Sequence, residues 1–287
     1  MKRKSLLIVG CGDLGARAGS TLIQEGWTVH GLRRRVDALP AGFSAHRADY
    51  AAPGGLDLIR ELRPDTVLAT FTPTDRSLAG YRSGFVDGAR NLLDALADHR
   101  PARLVFVSST RVFSESRGAW VDESSPLSDS DERAVAIVEA ERLVRDSALD
   151  VSVVRFAGIY GQPGGRLLAR IARGELSPAT PVRWTNRIHR EDCAGFLCHL
   201  LRGAVAGDSL EPVYIGVDDQ PALQHEVEHW LALELGVETG ADRPVSGEDE
   251  AIGKRCRNRL MHASGYSLRY PDFRSGYRAV LLSGSDA

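Results

Sequence analysis

The strongest constraint on this chain lies near its start. A short apolar run, Leu6–Val9, is followed at once by Gly10-Cys11-Gly12-Asp13-Leu14-Gly15, which leads into an amphipathic stretch at Leu14–Glu25 and a second apolar run at Thr28–Leu32. Glycine permits the tight turn from strand to helix, close approach of a pyrophosphate to the backbone, and close helix–strand packing. The helix N-terminus supplies free N–H groups and partial positive charge for an anion. A lone G-x-G-x-x-G is a weak signal. In this strand–turn–helix–strand setting it predicts a dinucleotide site on Gly10, Gly12, Asp13, Leu14 and Gly15.

The alternation continues to about residue 150. Further strands are expected at Thr66–Thr70, Leu104–Ser108 and Val151–Phe156, with helices at Leu56–Leu62, Gly80–His99 and Glu132–Ser147. Repeated βαβ units with right-handed crossovers give an α/β fold, a doubly wound parallel sheet of the Rossmann type. After Gly161 the regularity breaks down and Pro, Gly and Arg become frequent. Residues 1–160 therefore read as the dinucleotide-binding domain, and 161–287 as a smaller, irregular C-terminal substrate lobe, some segments of which return to the first domain. Helices are expected in that lobe at Leu167–Arg173, Asp192–Leu201 and Gln224–Leu235.

The tip of the second strand indicates which dinucleotide is bound. An acid there would accept from the adenosine ribose of NAD, but the sequence reads Gly31-Leu32-Arg33-Arg34-Arg35. Guanidinium groups suit a 2′-phosphate through charge-assisted hydrogen bonds, so NADP is expected on Arg33 and Arg34, with Arg17 of the first helix in reach; NAD is the other option.

Composition narrows the chemistry. Of the 36 basic residues only Lys2, Lys4 and Lys254 are lysine. No mechanism that needs a lysine between residues 5 and 253 is available, whether a Schiff base, a P-loop or a Tyr-x-x-x-Lys pair. A net charge of −2 gives no long-range attraction to nucleic acid or to an anionic membrane. Cys11, Cys193, Cys198 and Cys256 show no paired spacing, which fits free thiols in a reducing cytoplasm. Lys2–Cys11 imitates a lipoprotein signal, yet its apolar run is too short for export.

Further strings carry a resemblance. Val107-Ser108-Ser109-Thr110-Arg111-Val112-Phe113, Arg155-Phe156-Ala157-Gly158-Ile159-Tyr160-Gly161 and Asn186-Arg187-Ile188-His189-Arg190-Glu191-Asp192 resemble segments of the extended short-chain dehydrogenases/reductases, the NAD-dependent epimerase/dehydratase group. Asn258–Leu260 and Tyr270–Asp272 resemble the tail of an atypical bacterial subgroup, so the likeness spans nearly the whole chain. It implies hydride transfer at the nicotinamide, Asp49 near the adenine, and Thr72 and Ile159 among the cofactor contacts. It also implies a dimer through the helices at 80–99 and 132–147. Family chemistry uses a Ser/Thr, a Tyr and a Lys. Ser109 matches the first. Counting back from Glu141 places Arg133 at the tyrosine position and Ile137 at the lysine position.

With that pair missing, four residues remain as catalytic candidates, each with a plainer alternative. Ser109 could hydrogen-bond substrate or cap its strand; Tyr160 could be a substitute acid or a packing tyrosine. His189 could titrate in the substrate pocket or hold a structural hydrogen bond, while Arg133 could polarise a carbonyl or lie solvated on its helix. His225-Glu226-Val227-Glu228-His229 spells H-E-x-x-H, with Glu248 as a conceivable third zinc ligand; its setting in the small lobe argues against a metal site. The expectation is an NAD(P)-binding oxidoreductase or epimerase/dehydratase-like enzyme acting on a small polar or sugar-related substrate. The alternative is a non-catalytic NADP(H)-binding redox sensor.

Overall fold

The structure is a computed structural model that describes residues 3–238 and 251–284. Its first half runs β1 (Ser5–Val9), α1 (Asp13–Gln24), β2 (Thr28–Arg33), β3 (Ser44–Arg47), α2 (Ile59–Leu62), β4 (Thr66–Ala69), α3 (Leu78–Tyr81), α4 (Gly88–Ala95), β5 (Arg103–Ser109), β6 (Arg117–Val121), α5 (Glu132–Arg145) and β7 (Val151–Phe156). There follow β8 (Gly158–Tyr160), α6 (Arg166–Ile171), β9 (Arg183–Thr185), β10 (Arg187–His189), α7 (Arg190–Ala206), β11 (Val213–Gly216), β12 (Ala222–Leu223), α8 (Gln224–Glu234), β13 (Ile252–Cys256), α9 (Arg259–Ala263) and α10 (Phe273–Gly284).

Seven strands form one parallel sheet in the order β11-β7-β5-β4-β1-β2-β3. Side chains alternate across it, so Leu7 and Val9 of β1 enter the core on one face while Leu6 and Ile8 enter the other. Helices cover both faces, which is why the central strands read as continuous apolar runs rather than alternating ones. The chain winds outward from β1 through β2 to β3, then returns to β4 and builds in the other direction. Loops after β1 and β4 therefore diverge, opening a crevice at the carboxyl ends of the strands.

Several elements beyond residue 161 belong to this layer, including α9, whose Met261 joins the core cluster of Leu6 and Ile8. β11 pairs with β7, and α7 lies against α1, where the Cys198 thiol meets the Ala18 carbonyl at 3.4 Å. The remaining lobe is built on a four-stranded sheet, β12-β9-β13-β6, and a third core cluster that includes Leu168, Ile171, Leu231 and Phe273. One strand of that sheet, β6, comes from the segment between β5 and α5. Among the described residues no helix is long and apolar enough to cross a membrane.

Candidate cofactor and substrate site

A cavity of about 530 Å³ occupies the crevice. Its floor is the glycine turn. Gly10 has φ +77°, the left-handed region, and a Cβ there would lie 2.9 Å from the Thr70 carbonyl oxygen. Gly12 caps α1 without any side-chain hydrogen bond, so the first N–H groups of the helix are left for a ligand. A Cβ on Gly12 would meet only the Gly10 oxygen, at 3.8 Å, and would otherwise extend into open space. Gly15 serves packing, since a Cβ there would sit 2.7 Å from Ile8 Cγ2 on β1. These are the three separate demands that a pyrophosphate cradle makes on its glycines.

Arg33, Arg34 and Arg35 line the same cavity, and none has an ion-pair partner among the described residues. Opposite them, Tyr50 stacks on Phe71 with ring centroids 4.4 Å apart. The Tyr50 hydroxyl donates to the Thr72 carbonyl at 3.0 Å and accepts from the Thr72 N–H at 3.1 Å, fixing the loop after β4. Cys11 also faces the cavity, but burial pushes its thiol up to about 12, so it stays protonated. At the far end stand Ser109 and Ile159. Ser109 Oγ accepts from the Arg111 N–H at 3.2 Å, and its own proton has no acceptor among the described residues.

Thus Gly10, Gly12, Asp13, Leu14, Arg33, Arg34, Thr72, Ile159 and Ser109 come together around one space. The other expected residues lie elsewhere. Arg17 lines an adjoining groove with Arg33, but its guanidinium is already paired with Asp13 and Glu191. Asp49 accepts from the Ala51 N–H at 3.1 Å and stands between Ala48 and Tyr50, which do line the cavity. Arg133 is exposed, stacked 5.7 Å from the Tyr81 ring, and Ile137 is buried in the core.

Tyr160 borders a second cavity, with its ring stacked on Tyr277 at 4.4 Å. Burial raises its phenol well above the ordinary value, with Asp218 and Tyr277 adding to the effect, and this makes it a poor proton donor near neutrality. His189 is buried and caps α7, its Nδ1 accepting from the Glu191 N–H at 3.2 Å. Burial lowers the imidazole to about 4, and the charges of Arg190, Arg17 and Arg269 act in the same direction. Since the unfolded imidazole titrates near 6.5, the unfolded chain binds the proton first as pH falls. His189 therefore contributes stability that is complete above about 6.5 and is lost as pH falls toward 4. Asn can keep the cap without titrating. The urea midpoint should consequently fall less steeply from pH 7 to pH 5 in His189→Asn than in the native protein, and equal slopes would remove His189 from this account.

The H-E-x-x-H string lies on α8. Its Glu228 is committed to Arg170, to Gln224 and to Ser177, whose N–H donates at 2.6 Å. Glu248 lies outside the described residues, and among those described no group of three His, Cys, Asp or Glu side chains could hold a metal ion.

Two sets of residues escaped the sequence reading. Tyr50, Phe71, Pro73 and Phe85 line the cavity; Tyr50 and Phe71 could have been found, because they directly follow Asp49 and the strand expected at Thr66–Thr70. Lys254 reaches from β13 to the turn after Ser109, donating to the carbonyls of Phe113 at 3.0 Å and Thr110 at 3.3 Å. No local pattern announces a contact between such distant segments.

Fold and crevice together define a nicotinamide-dinucleotide-binding protein of the Rossmann type. Residues 10–203 match the family described as NAD(P)H-binding, and the chain belongs to that family. It is 35% identical to a Methylobacillus flagellatus protein classed with the NAD-dependent epimerases/dehydratases, with 98% of this chain and 99% of that one covered and a TM-score of 0.85. Protein YeeZ of Escherichia coli K12 is 27% identical over 278 residues, 94% of this chain and 97% of its own length. UDP-glucose 4-epimerase of Thermus thermophilus, solved with NAD, shares the fold at a TM-score of 0.79, with 20% identity and 99% of each chain covered.

Proposed function

We propose that this protein is an atypical NAD(P)-dependent oxidoreductase or epimerase/dehydratase-like enzyme acting on a small polar substrate, with NADP as its preferred cofactor. The observation that carries the proposal is one cavity shared by the bare glycine turn, by Arg33–Arg35 and by the Ser109 hydroxyl, none of these side chains having an ion-pair partner or a proton acceptor among the described residues. Gly10–Leu14 would hold the pyrophosphate, Arg33 and Arg34 the 2′-phosphate, and Tyr50, Phe71 and Thr72 the wall of the site. Bound there, a nicotinamide dinucleotide supplies hydride transfer at ring C4. Ser109 donates its hydroxyl proton in a hydrogen bond to the substrate oxygen, polarising the carbon that gains or loses hydride. Tyr160 and His189 hold the lobe against the sheet by packing and capping. Four buried free thiols support a cytoplasmic setting, and a homodimer through α4 and α5 belongs to the same proposal.

NADPH should bind more tightly than NADH, and Arg33→Ala should weaken NADPH binding about tenfold while leaving NADH nearly unchanged. Tighter NADH binding in the native protein, read by cofactor fluorescence, would overturn the NADP preference. Activity is tested by nicotinamide absorbance over a panel of small carbonyl compounds and sugars. Ser109→Ala should lower any turnover found by about 100-fold.

One observation favours a second reading. With Arg133 outside the cavity and Ile137 in the core, α5 supplies no proton relay, as a non-catalytic NADP(H) sensor would have it. That reading requires the NADP- and NADPH-loaded forms to differ in conformation without turnover; identical protease protection of the two forms would count against it.

A further inference from the structure

The second cavity, of about 550 Å³, adjoins the first at Ile159 and is walled by β10, α6, α8 and α10. Arg187 is its unusual residue. The side chain is only 7% exposed, its guanidinium lies 5.4 Å from the Phe273 ring, and Nη2 donates to Thr185 Oγ1 at 2.6 Å. Nη1 is buried with no hydrogen-bond partner, and no carboxylate lies within ion-pairing distance among the described residues. A buried cation left unpaired is strongly unfavourable, so it calls for a counter-ion. Asp218 is the buried carboxyl whose charge acts on it, yet burial raises that carboxyl to about 8, and its Oδ2 is itself without a partner among the described residues. Burial thus favours the neutral form of Asp218, and the two groups make no direct ion pair among the described residues. A second guanidinium, Arg166, stands on the cavity wall, exposed and without an ion-pair partner among the described residues. The remaining cation, Arg170, is already satisfied by Glu228.

We infer that this cavity receives an oxyanion of the substrate, a carboxylate or a phosphate monoester, with Arg187 as its buried counter-charge and Arg166 as its outer contact. The inference rests on the cofactor reading of the first cavity, because Ile159 lies on both and places the anion beside the reacting end of the dinucleotide. Polar groups that would otherwise be orphaned in the folded protein become satisfied when ligand binds. Neutral sugars lack that complement.

The test is calorimetric titration of NADP-loaded protein with inorganic phosphate, with malonate and with glucose. Saturable binding of phosphate or malonate is expected, the stronger of the two naming the oxyanion, and glucose should not bind. Arg166→Ala, an exposed substitution, should weaken the anion about tenfold, and Arg187→Gln should abolish its binding. Cofactor affinity should change by less than about twofold in either variant. Anion binding unchanged in both variants, no anion binding to the native protein, or glucose binding as well as the anions would overturn the inference. Failure of NADP itself to bind would instead overturn the cofactor reading.

Discussion

Gly12→Val should abolish useful cofactor binding while leaving the fold nearly as stable as before. Gly12 has φ −89° and ψ −155°, which any L-residue can adopt, and an added Cβ touches no protein atom closer than 3.8 Å. Its branches would instead fill the space over the N-terminus of α1. The N–H bonds to the pyrophosphate would be lost, at about 1.5–3 kcal/mol for each bond to a charged group, so affinity should fall by about 100-fold or more. The unfolding free energy should move by less than about 1 kcal/mol. Fluorescence titration and urea unfolding on the same variant separate the two effects. Undiminished NADPH binding would mean that the dinucleotide does not lie on this turn.

The second large effect is expected in the interior. Glu141 and Arg155 are each 1% exposed and form a closed pair, with Arg155 Nη2 donating to Glu141 Oε2 at 2.7 Å and Nε donating to Oε1 at 3.1 Å. Ser108 Oγ donates to Glu141 Oε1 at 2.5 Å, so the same carboxylate anchors the strand that ends at Ser109. Removing one charge strands the other without water. Glu141→Gln should cost about 3–5 kcal/mol in urea unfolding, whereas Glu141→Leu combined with Arg155→Leu should recover most of the loss. A double variant as unstable as the sum of its parts would show that packing, rather than the stranded charge, sets the cost.

That pair also shows what a sequence can reveal. Arg155 stands in a recognisable string and Glu141 serves to set the register of its helix, but only the fold brings α5 and β7 together. Strands β1, β2, β4, β5 and β7 fall within one residue of their expected ends, because strands covered on both faces are apolar throughout. β3, whose sequence is Ser44-Ala45-His46-Arg47, lies at the sheet edge with mostly exposed side chains and carries no such signal. β11 is only four residues long, in a stretch where Pro and Gly obscure the pattern. The expected single helix at Gly80–His99 is broken by a wide π turn at Arg82–Asp87. There Gly84 approaches the Thr72 backbone so closely that a Cβ would lie 2.2 Å from its carbonyl oxygen. Of the site, the phosphate cradle was legible because it is local. The aromatic wall, the Lys254 contact and the orphaned Arg187 depend on tertiary packing, and periodicity carries no trace of them.

The late pairing of β11 with β7 has a consequence for biosynthesis. When β7 leaves the ribosome it has β5 on one side and nothing on the other, and it stays an open strand edge until α7 and then Val213–Gly216 have been made. Arg155, buried on that strand, waits beside the same open edge. The nascent chain can assemble its glycine turn early, yet it carries an adhesive border through the synthesis of the whole intervening segment. Premature termination before β11 would therefore release a species prone to self-association rather than a smaller working domain.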